Sequence, residues 1–436
     1  MRTFKIFCLL AVMPNLSIQS QNWTLKQCIE YALEHNLTLQ NQQLMVDNSQ
    51  IQYNQAKSNL LPSLNANASS GLNFNKSQIS DNTYVNGNSF GLNLGLNTSV
   101  NIFDGLGNVN SIKQRSAELQ AASKDLQQRK DLIALEVASL YLAVLLDKEL
   151  LSAQKMQVNI TGENQKRLDY KYQSGAISKS TLLENKAQQA REQARLIELE
   201  NNANYDLLVL AQSLELAVPD SFNVAIPDTL MLKAELSLLS ANELFLKSFE
   251  TRPEIEASKL RIESSQSAYN VAKSYMYPTL ALQASLNNSY NDANPLSFAV
   301  QFKNNDMEYI GLSLQLPIFN KFQVNNQVKA AQLNVQRYKN EYEILKKQYR
   351  EIIQKAYTNA KAAYASFKAY KEALTASTEA YNFAKERFEN GAISIFDYNE
   401  LKNKVSQSQS DYIKSMYQFI FSAKILDFYA GKAIEL

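Results

Sequence analysis

From Ser63 onward the chain alternates. Leu64, Ala66, Ala68, Leu72 and Phe74 take even positions, and Ser63, Asn65, Asn67, Ser69, Gly71 and Asn73 take odd ones. After a polar stretch that reads as a loop, the alternation resumes. Phe90, Leu92, Leu94, Leu96, Val100 and Ile102 now stand against Ser89, Gly91, Asn93, Gly95, Asn97, Ser99 and Asn101. Two later runs do the same, through Leu280, Leu282, Ala284 and Leu286 and through Ile310, Leu312, Leu314, Leu316 and Ile318. Successive side chains of a strand point to opposite faces. The pattern therefore predicts four strands of about 9–14 residues, each with one apolar and one Ser/Asn/Gly/Gln face.

Elsewhere the apolar period is that of a helix. Thr24 can cap a helix that stops near Asn36, and a second runs from about Leu37 to Ser58 and ends before Pro62. The same order returns around Arg252-Pro253 and Pro278. Neither Gly nor Pro occurs between Gly107 and Gly162, nor from Phe319 to Asn390. A helix from about Asn108 to Tyr172 would measure on the order of 100 Å at its normal rise. Leu119, Leu126, Ile133 and Leu140 recur every seven residues in it. In the later rod, steps of three and four run through Val335, Tyr338, Tyr342, Leu345, Tyr349, Ile352 and Ala356. An extra step of four to Ala360 precedes Ala363, Phe367, Tyr370 and Leu374. This is coiled-coil packing with one local unwinding. Each rod meets a hairpin at Gly-Ala-Ile-Ser, where Gly175 and Gly391 suit a left-handed helix end and Ser178 and Ser394 a returning N-cap. The return helices run from about Lys179 to Leu214 and from about Phe396 to Ala430.

A shift of 216 residues brings the two halves into register. Tyr53-Asn54, Pro62, Gly95-Leu96, Ile102-Phe103 and Gly175-Ala176-Ile177-Ser178 fall on Tyr269-Asn270, Pro278, Gly311-Leu312, Ile318-Phe319 and Gly391-Ala392-Ile393-Ser394. The constant offset marks a duplicated unit much larger than a solenoid repeat. Residues 21–218 form the first copy and 241–436 the second. Residues 219–240, with Pro219 and Pro227 around the apolar Phe222 to Ile226, form a crossover with a short strand.

Composition narrows the reading. Residues 1–20 carry a secretory signal: Arg2 and Lys5, then the apolar Ile6 to Met13, then Ile18 and Ser20 at the cleavage positions. The 44 basic residues, less Arg2 and Lys5, equal the 42 acidic ones, which leaves no basic stripe for nucleic acid. Only Cys28 would remain after cleavage, so no internal disulfide can form. No later stretch is apolar enough for a membrane helix. The alternating runs fit either a half-buried surface sheet or transmembrane strands; the secretory signal, the strand length and the aromatics Phe74, Phe90, Tyr290 and Tyr309 near strand ends favour the second. Backbone groups in lipid must all be paired, so such a sheet must close, and four strands are too few for a barrel of about eight or more. The barrel must be shared between chains.

The duplicated order helix, helix, strand, strand, long helix, hairpin, return helix resembles the TolC-like outer membrane efflux protein family. Trp23 to Asn36 is similar to that family's opening segment, Ile102-Phe103-Asp104-Gly105 and Pro317-Ile318-Phe319-Asn320 to its strand-to-helix corners, and Arg252-Pro253-Glu254 to the start of its second half. The resemblance implies a mainly α, mixed α/β membrane protein, a homotrimer with a 12-stranded β-barrel and a long periplasmic α-helical barrel. It implies an outer-membrane channel-tunnel that takes substrates from an inner-membrane pump and a periplasmic adaptor (membrane fusion) protein. It also implies an acidic gate at the sixth and ninth residues after the second hairpin glycine, here Asp397 and Glu400, opposite Thr181 and Glu184 in the first copy. Adaptor docking would fall at Gly175, Ala176, Ile177, Ser178, Gly391, Ala392, Ile393 and Ser394. Where the family often carries Arg, this chain has Ile393, which points to an apolar contact.

No constellation for catalysis is present. His35 is the only histidine, the glycines form no phosphate loop, and no cofactor or metal is expected. Two other classes remain in view. A non-transporting trimeric coiled coil that tethers envelope layers would have no lipid-facing strands. A passive porin would need many more strands per chain.

Overall fold

A computed structural model of the chain describes residues 22–81, 83–216, 222–227 and 240–432. The expected signal segment, and most of the expected crossover, lie outside them. Two short helices open the chain. Thr24 caps α1 (Leu25–His35) through a reciprocal box with Gln27, and Asn36 separates it from α2 (Leu37–Ser58). Then follow β2 (Ser63–Ser80) and β3 (Thr83–Phe103), the long α3 (Gly107–Gln173) and α4 (Lys179–Ser213). The second copy runs α5 (Ala241–Phe249), α6 (Pro253–Ser274), β5 (Thr279–Asn291), α7 (Phe298–Asn304), β6 (Met307–Gln315), α8 (Gln323–Glu389) and α9 (Ile395–Tyr429). Two-residue strands β1 (Asn22–Trp23) and β4 (Asn223–Val224) pair in parallel, which places the strand expected in the crossover beside the start of the chain.

The chain divides into two compact units, each drawing on both copies. One comprises Asn41–Gln128 and Glu250–Gln348 and holds the four-stranded antiparallel sheet in the order β2-β3-β5-β6. Strands β2 and β3 are longer than expected. Asn75 to Ser80 and Thr83 to Asn88, expected as loop, continue the ladder, with pairs such as Asn75–Gly87 and Lys76–Asn86. A hairpin supplies its own backbone partner, so the ladder extends past the point where apolar alternation ends. Helix α7, which has no repeat counterpart, interrupts the β5–β6 connection and was not expected.

The other unit comprises residues up to Gln40, Arg129–Phe249 and Tyr349 onward. Its core is the seam of the long helices together with α5: Val137, Tyr141, Leu145, Leu210, Leu214, Leu244, Ile353, Ile420 and Leu426 are fully buried. Here the seam of α8 differs from the sequence reading. Ile353 is buried and Ile352 is 42% exposed, so the extra step of four falls between Tyr349 and Ile353, ahead of Ala356 and Ala360. Phe245 and Phe249 of α5 pack on Tyr349 at ring distances of 6.3 Å, and this contact fixes the phase of the helix there. Tyr141 donates its hydroxyl to the carbonyls of Trp23 and Ala225, tying β1 and β4 to the rod.

The strand-to-helix corners show how the copies diverge. In the first, Asp104 Oδ2 accepts the Asn108 N–H at 2.7 Å. Gly105 is left-handed (φ 68°), and a Cβ on it would stand 2.7 Å from the Ser274 carbonyl. In the second, Lys321 takes the glycine's place with φ 54°. A non-glycine residue there costs about 1–2 kcal/mol. Lys321→Gly should therefore raise the thermal unfolding midpoint of the detergent-purified protein, by the equivalent of about 1 kcal/mol, whereas Gly105→Ala should lower it. Shifts of the same sign would contradict this account of the corners.

Candidate functional site

Two places carry the chemistry: the faces of the sheet and the ends of the helical hairpins. In the sheet, register keeps parity except at the bulges near Asn101 and Gln78. Leu64 pairs with Thr98, Leu72 with Phe90, Leu96 with Leu286, Leu282 with Leu312 and Leu280 with Leu314, so the even positions form one apolar face across all four strands. Leu64, Leu72, Phe74, Ile310, Leu312 and Leu314 on it are strongly exposed. The odd face is polar and internally bonded. Asn67 and Asn287 flank Gly95, and a Cβ there would meet both side chains at 2.7 Å. Asn97 Nδ2 donates to Asn67 Oδ1 at 2.7 Å. Gly311 serves the same end in the second copy, because the Tyr309 ring lies over it. Tyr309 therefore belongs to the polar face, unlike Phe74, Phe90 and Tyr290, with which it was grouped as a strand-end aromatic. An odd position cannot share their side.

Both hairpin ends are built alike. Gly175 and Gly391 are left-handed (φ 74° and 72°). Ala176 N–H bonds the Lys171 carbonyl and Ala392 N–H the Arg387 carbonyl, a doubly bonded helix stop in each case. Ser178 and Ser394 then cap the returning helices. The copies differ at the next turn. Asp397 accepts from the Ser394 hydroxyl at 2.8 Å and closes a capping box, whereas Thr181 only exchanges a hydroxyl contact with Ser178. Glu400 lies exposed one turn further along. Ile177 and Ile393 are half-buried against a cluster of Leu168, Ile395 and Tyr398, with Phe388 stacked on Tyr398 at 4.7 Å. They hold the two hairpins to each other.

Above this cluster sits a polar core that sequence reasoning missed. Lys402 of α9, 1% exposed, donates to Glu192 Oε1 of α4 at 2.9 Å and to the Thr161 hydroxyl of α3. Thr161 donates in turn to Glu192 Oε2. Gln188 Nε2 donates to Glu192 Oε1 at 2.8 Å and to Asn403 Oδ1 at 2.6 Å. Burial lowers the Lys402 pKa, and the Glu192 carboxylate works against that shift. A signal did exist. Asn185, Gln188 and Glu192 continue, at steps of three and four, the buried stripe that Leu199, Ala203 and Leu210 carry on α4.

The family model for the outer membrane efflux protein matches this chain twice, over residues 28–214 and 247–432. The chain belongs to the outer membrane efflux protein family. Solved structures share its fold at low identity. The CusC structure matches with a TM-score of 0.81 and 15% identity over 94% of this chain and 92% of that one. VceC from Vibrio cholerae gives 0.77 and 19% over 94% and 97%. The CmeC outer membrane channel of Campylobacter jejuni gives 0.78 and 19% over 93% and 85%. Among curated proteins none matches the sequence.

As an outer membrane efflux protein, the chain is a transport channel of the outer membrane with a helical periplasmic tunnel. The sheet is its membrane part, and in barrels of this kind the outward, lipid-facing side is the apolar one. Among the described residues no helix is long and apolar enough to cross a membrane. The buried Glu192–Lys402 pair joins the two hairpins of the tunnel wall. Removing one partner of such a pair strands a charge and costs about 3–5 kcal/mol. Lys402→Met should lower the thermal unfolding midpoint of the purified protein accordingly, and adding Glu192→Leu should restore most of the loss. A double variant no better than the single one would show that the pair acts by packing alone.

Proposed function

We propose that three copies of this chain close one twelve-stranded barrel in the outer membrane and one tunnel in the periplasm, forming the export duct of a three-component machine with a periplasmic adaptor and an inner-membrane pump. The observation that carries this is the open sheet. Its outer strands, β2 and β6, each have one edge unpaired among the described residues, and its even face carries a broad apolar band from Leu64 to Leu314. Lipid offers those edges no hydrogen bonds, so other chains must supply them. The sheet itself demands only sharing; the number three follows the family resemblance. Such a sheet has no place in a tethering coiled coil.

We assign the gate to Asp397 and Glu400. In a trimer they would bring six carboxylates near one axis, where like charges repel and attract polyvalent cations. Because Asp397 also closes a capping box, alanine there would damage the hairpin as well as the charge. Asn and Gln keep an acceptor and remove the charge. In planar bilayers, Asp397→Asn with Glu400→Gln should raise single-channel conductance and weaken block by polyvalent cations; unchanged conductance would end the assignment.

The hairpin ends, Gly175 to Ser178 and Gly391 to Ser394, are the docking tips for the adaptor. Ile177 and Ile393 pack within the chain, so the contact falls on their outward edges and on the exposed Ala176 and Ala392. Ala176→Glu with Ala392→Glu should abolish export in cells that depend on this channel, while the protein still runs as a heat-dissociable trimer from outer-membrane fractions. Normal export would refute docking here, and a monomeric particle would refute the shared barrel.

A further inference from the structure

Helix α7 stands in the β5–β6 connection, at the strand ends opposite those that lead into the long helices and so, in the family's orientation, at the cell surface. Its sequence is Phe298-Ala-Val-Gln-Phe-Lys-Asn, and it leaves Leu296, Phe298, Val300 and Phe302 between 40% and 48% exposed. Apolar exposure of this extent on a floppy loop would mean little. This connection is tightly built. Gln301, 1% exposed, accepts the Asn291 N–H and donates to the carbonyls of Asn291, Asn294 and Leu296. Asn288 Nδ2 donates to the Phe302 carbonyl and to Asp306, and Asn305 Nδ2 donates to the Ser289 carbonyl. The apolar side chains are thus held outward by design of the loop.

The face on which α7 rests decides what it meets. Tyr290 pairs with Leu92 and Asn288 with Leu94, so both lie on the even, lipid-side face of the sheet. The Phe298 ring packs on Tyr290 at 5.1 Å, Tyr290 on Phe90 at 6.4 Å, and Phe302 on Phe298 at 5.6 Å. Four rings therefore run without a break from the strands onto α7, along the outside of the sheet. At the same level the apolar face gives way to polar groups: Leu286 pairs with Glu308, and Asn288 and Asp306 follow. That change is the mark of a lipid headgroup boundary, where amphipathic rings settle.

We propose that α7 with Leu296 is a lipid-binding collar, which lies on the outside of the barrel and inserts Phe298 and Phe302 at the acyl–headgroup boundary of the outer leaflet. The occupant is lipid because the surface is continuous with the face that already meets lipid. A lid over the channel mouth would have to fold onto the odd, polar face, and α7 does not. The inference rests on the even face being the lipid side, and the test separates the two.

Single cysteines can be introduced without removing Cys28, which is fully buried with its thiol pKa pushed up to about 12 by burial. Phe298→Cys, Phe302→Cys and Val300→Cys, each spin-labelled in proteoliposomes, can be probed with oxygen, which partitions into lipid, and with a nickel chelate, which stays in water. Leu312→Cys and Asn97→Cys serve as controls for the even and odd faces. The collar requires oxygen collisions to dominate at position 298 or 302, as at 312, with the chelate dominating at 97. Chelate dominance at both 298 and 302 would place α7 in water, and low access to both probes would bury it against protein. Either result overturns the collar if 312 and 97 behave as stated. If 312 instead favours the chelate, the face assignment itself is wrong.

Discussion

A backbone amide or carbonyl that enters hydrocarbon must find its partner within protein. Almost every other feature of this chain follows from that demand. It selects antiparallel strands whose register keeps all leucines of the even positions on one side, and it leaves the edges of β2 and β6 as places where the chain is incomplete. It also explains the polar side of the sheet. Freed from packing a core, the odd face fills with Asn, Ser and Gly, and the glycines at 95 and 311 make room for larger neighbours. The long helices then continue what the sheet begins, since a rod of 67 residues with polar outer faces has no reason to exist as an isolated element.

Much of this was legible in the sequence because two periods, two and 3.6, dominate long stretches without interruption. Parity put Leu64, Phe90 and Leu312 on the apolar faces of their strands, and Thr24 and Ser178 marked helix starts to the residue, while the helix after Ser394 begins at Ile395, one residue before the start read from the sequence. What stayed hidden has particular causes. Asn75 to Ser80 and Thr83 to Asn88 pair because a hairpin partner is at hand, and their sequence carries no alternation to announce it. Ile352 and Ile353 are equally apolar, and only the aromatic contact of Phe245 and Phe249 with Tyr349 chooses between them. The Glu192–Lys402 pair escaped notice, although Glu192 continues the buried stripe of α4, because charged residues in a helix are ordinarily read as solvated. Helix α7 is too short, and too alien to the repeat, for periodicity to detect.

The two copies share their scaffold and part company where the tasks differ. Both hairpins use the same left-handed glycine and the same capping serine, but only the second adds a carboxylate to its cap. Both corners turn through left-handed residues, but only the first uses glycine to do so. Lys402 has an exposed lysine, Lys186, as its counterpart, so the pair that joins the two copies has a buried lysine from the second copy only. The duplicated rods are thus equivalent in scaffold and unlike at these positions.

The way the compact units are drawn from the chain has a consequence for the order of events after synthesis. The helical unit needs its first segment, its middle and everything from Tyr349 onward. The first copy, though long enough to be a domain, cannot therefore settle as one while the second is still arriving. Contacts so distant in sequence form slowly. For that interval the seam residues of α3 and the leucines of the first hairpin are bare, and a newly secreted chain is exposed to aggregation and proteolysis until its last helix is in place.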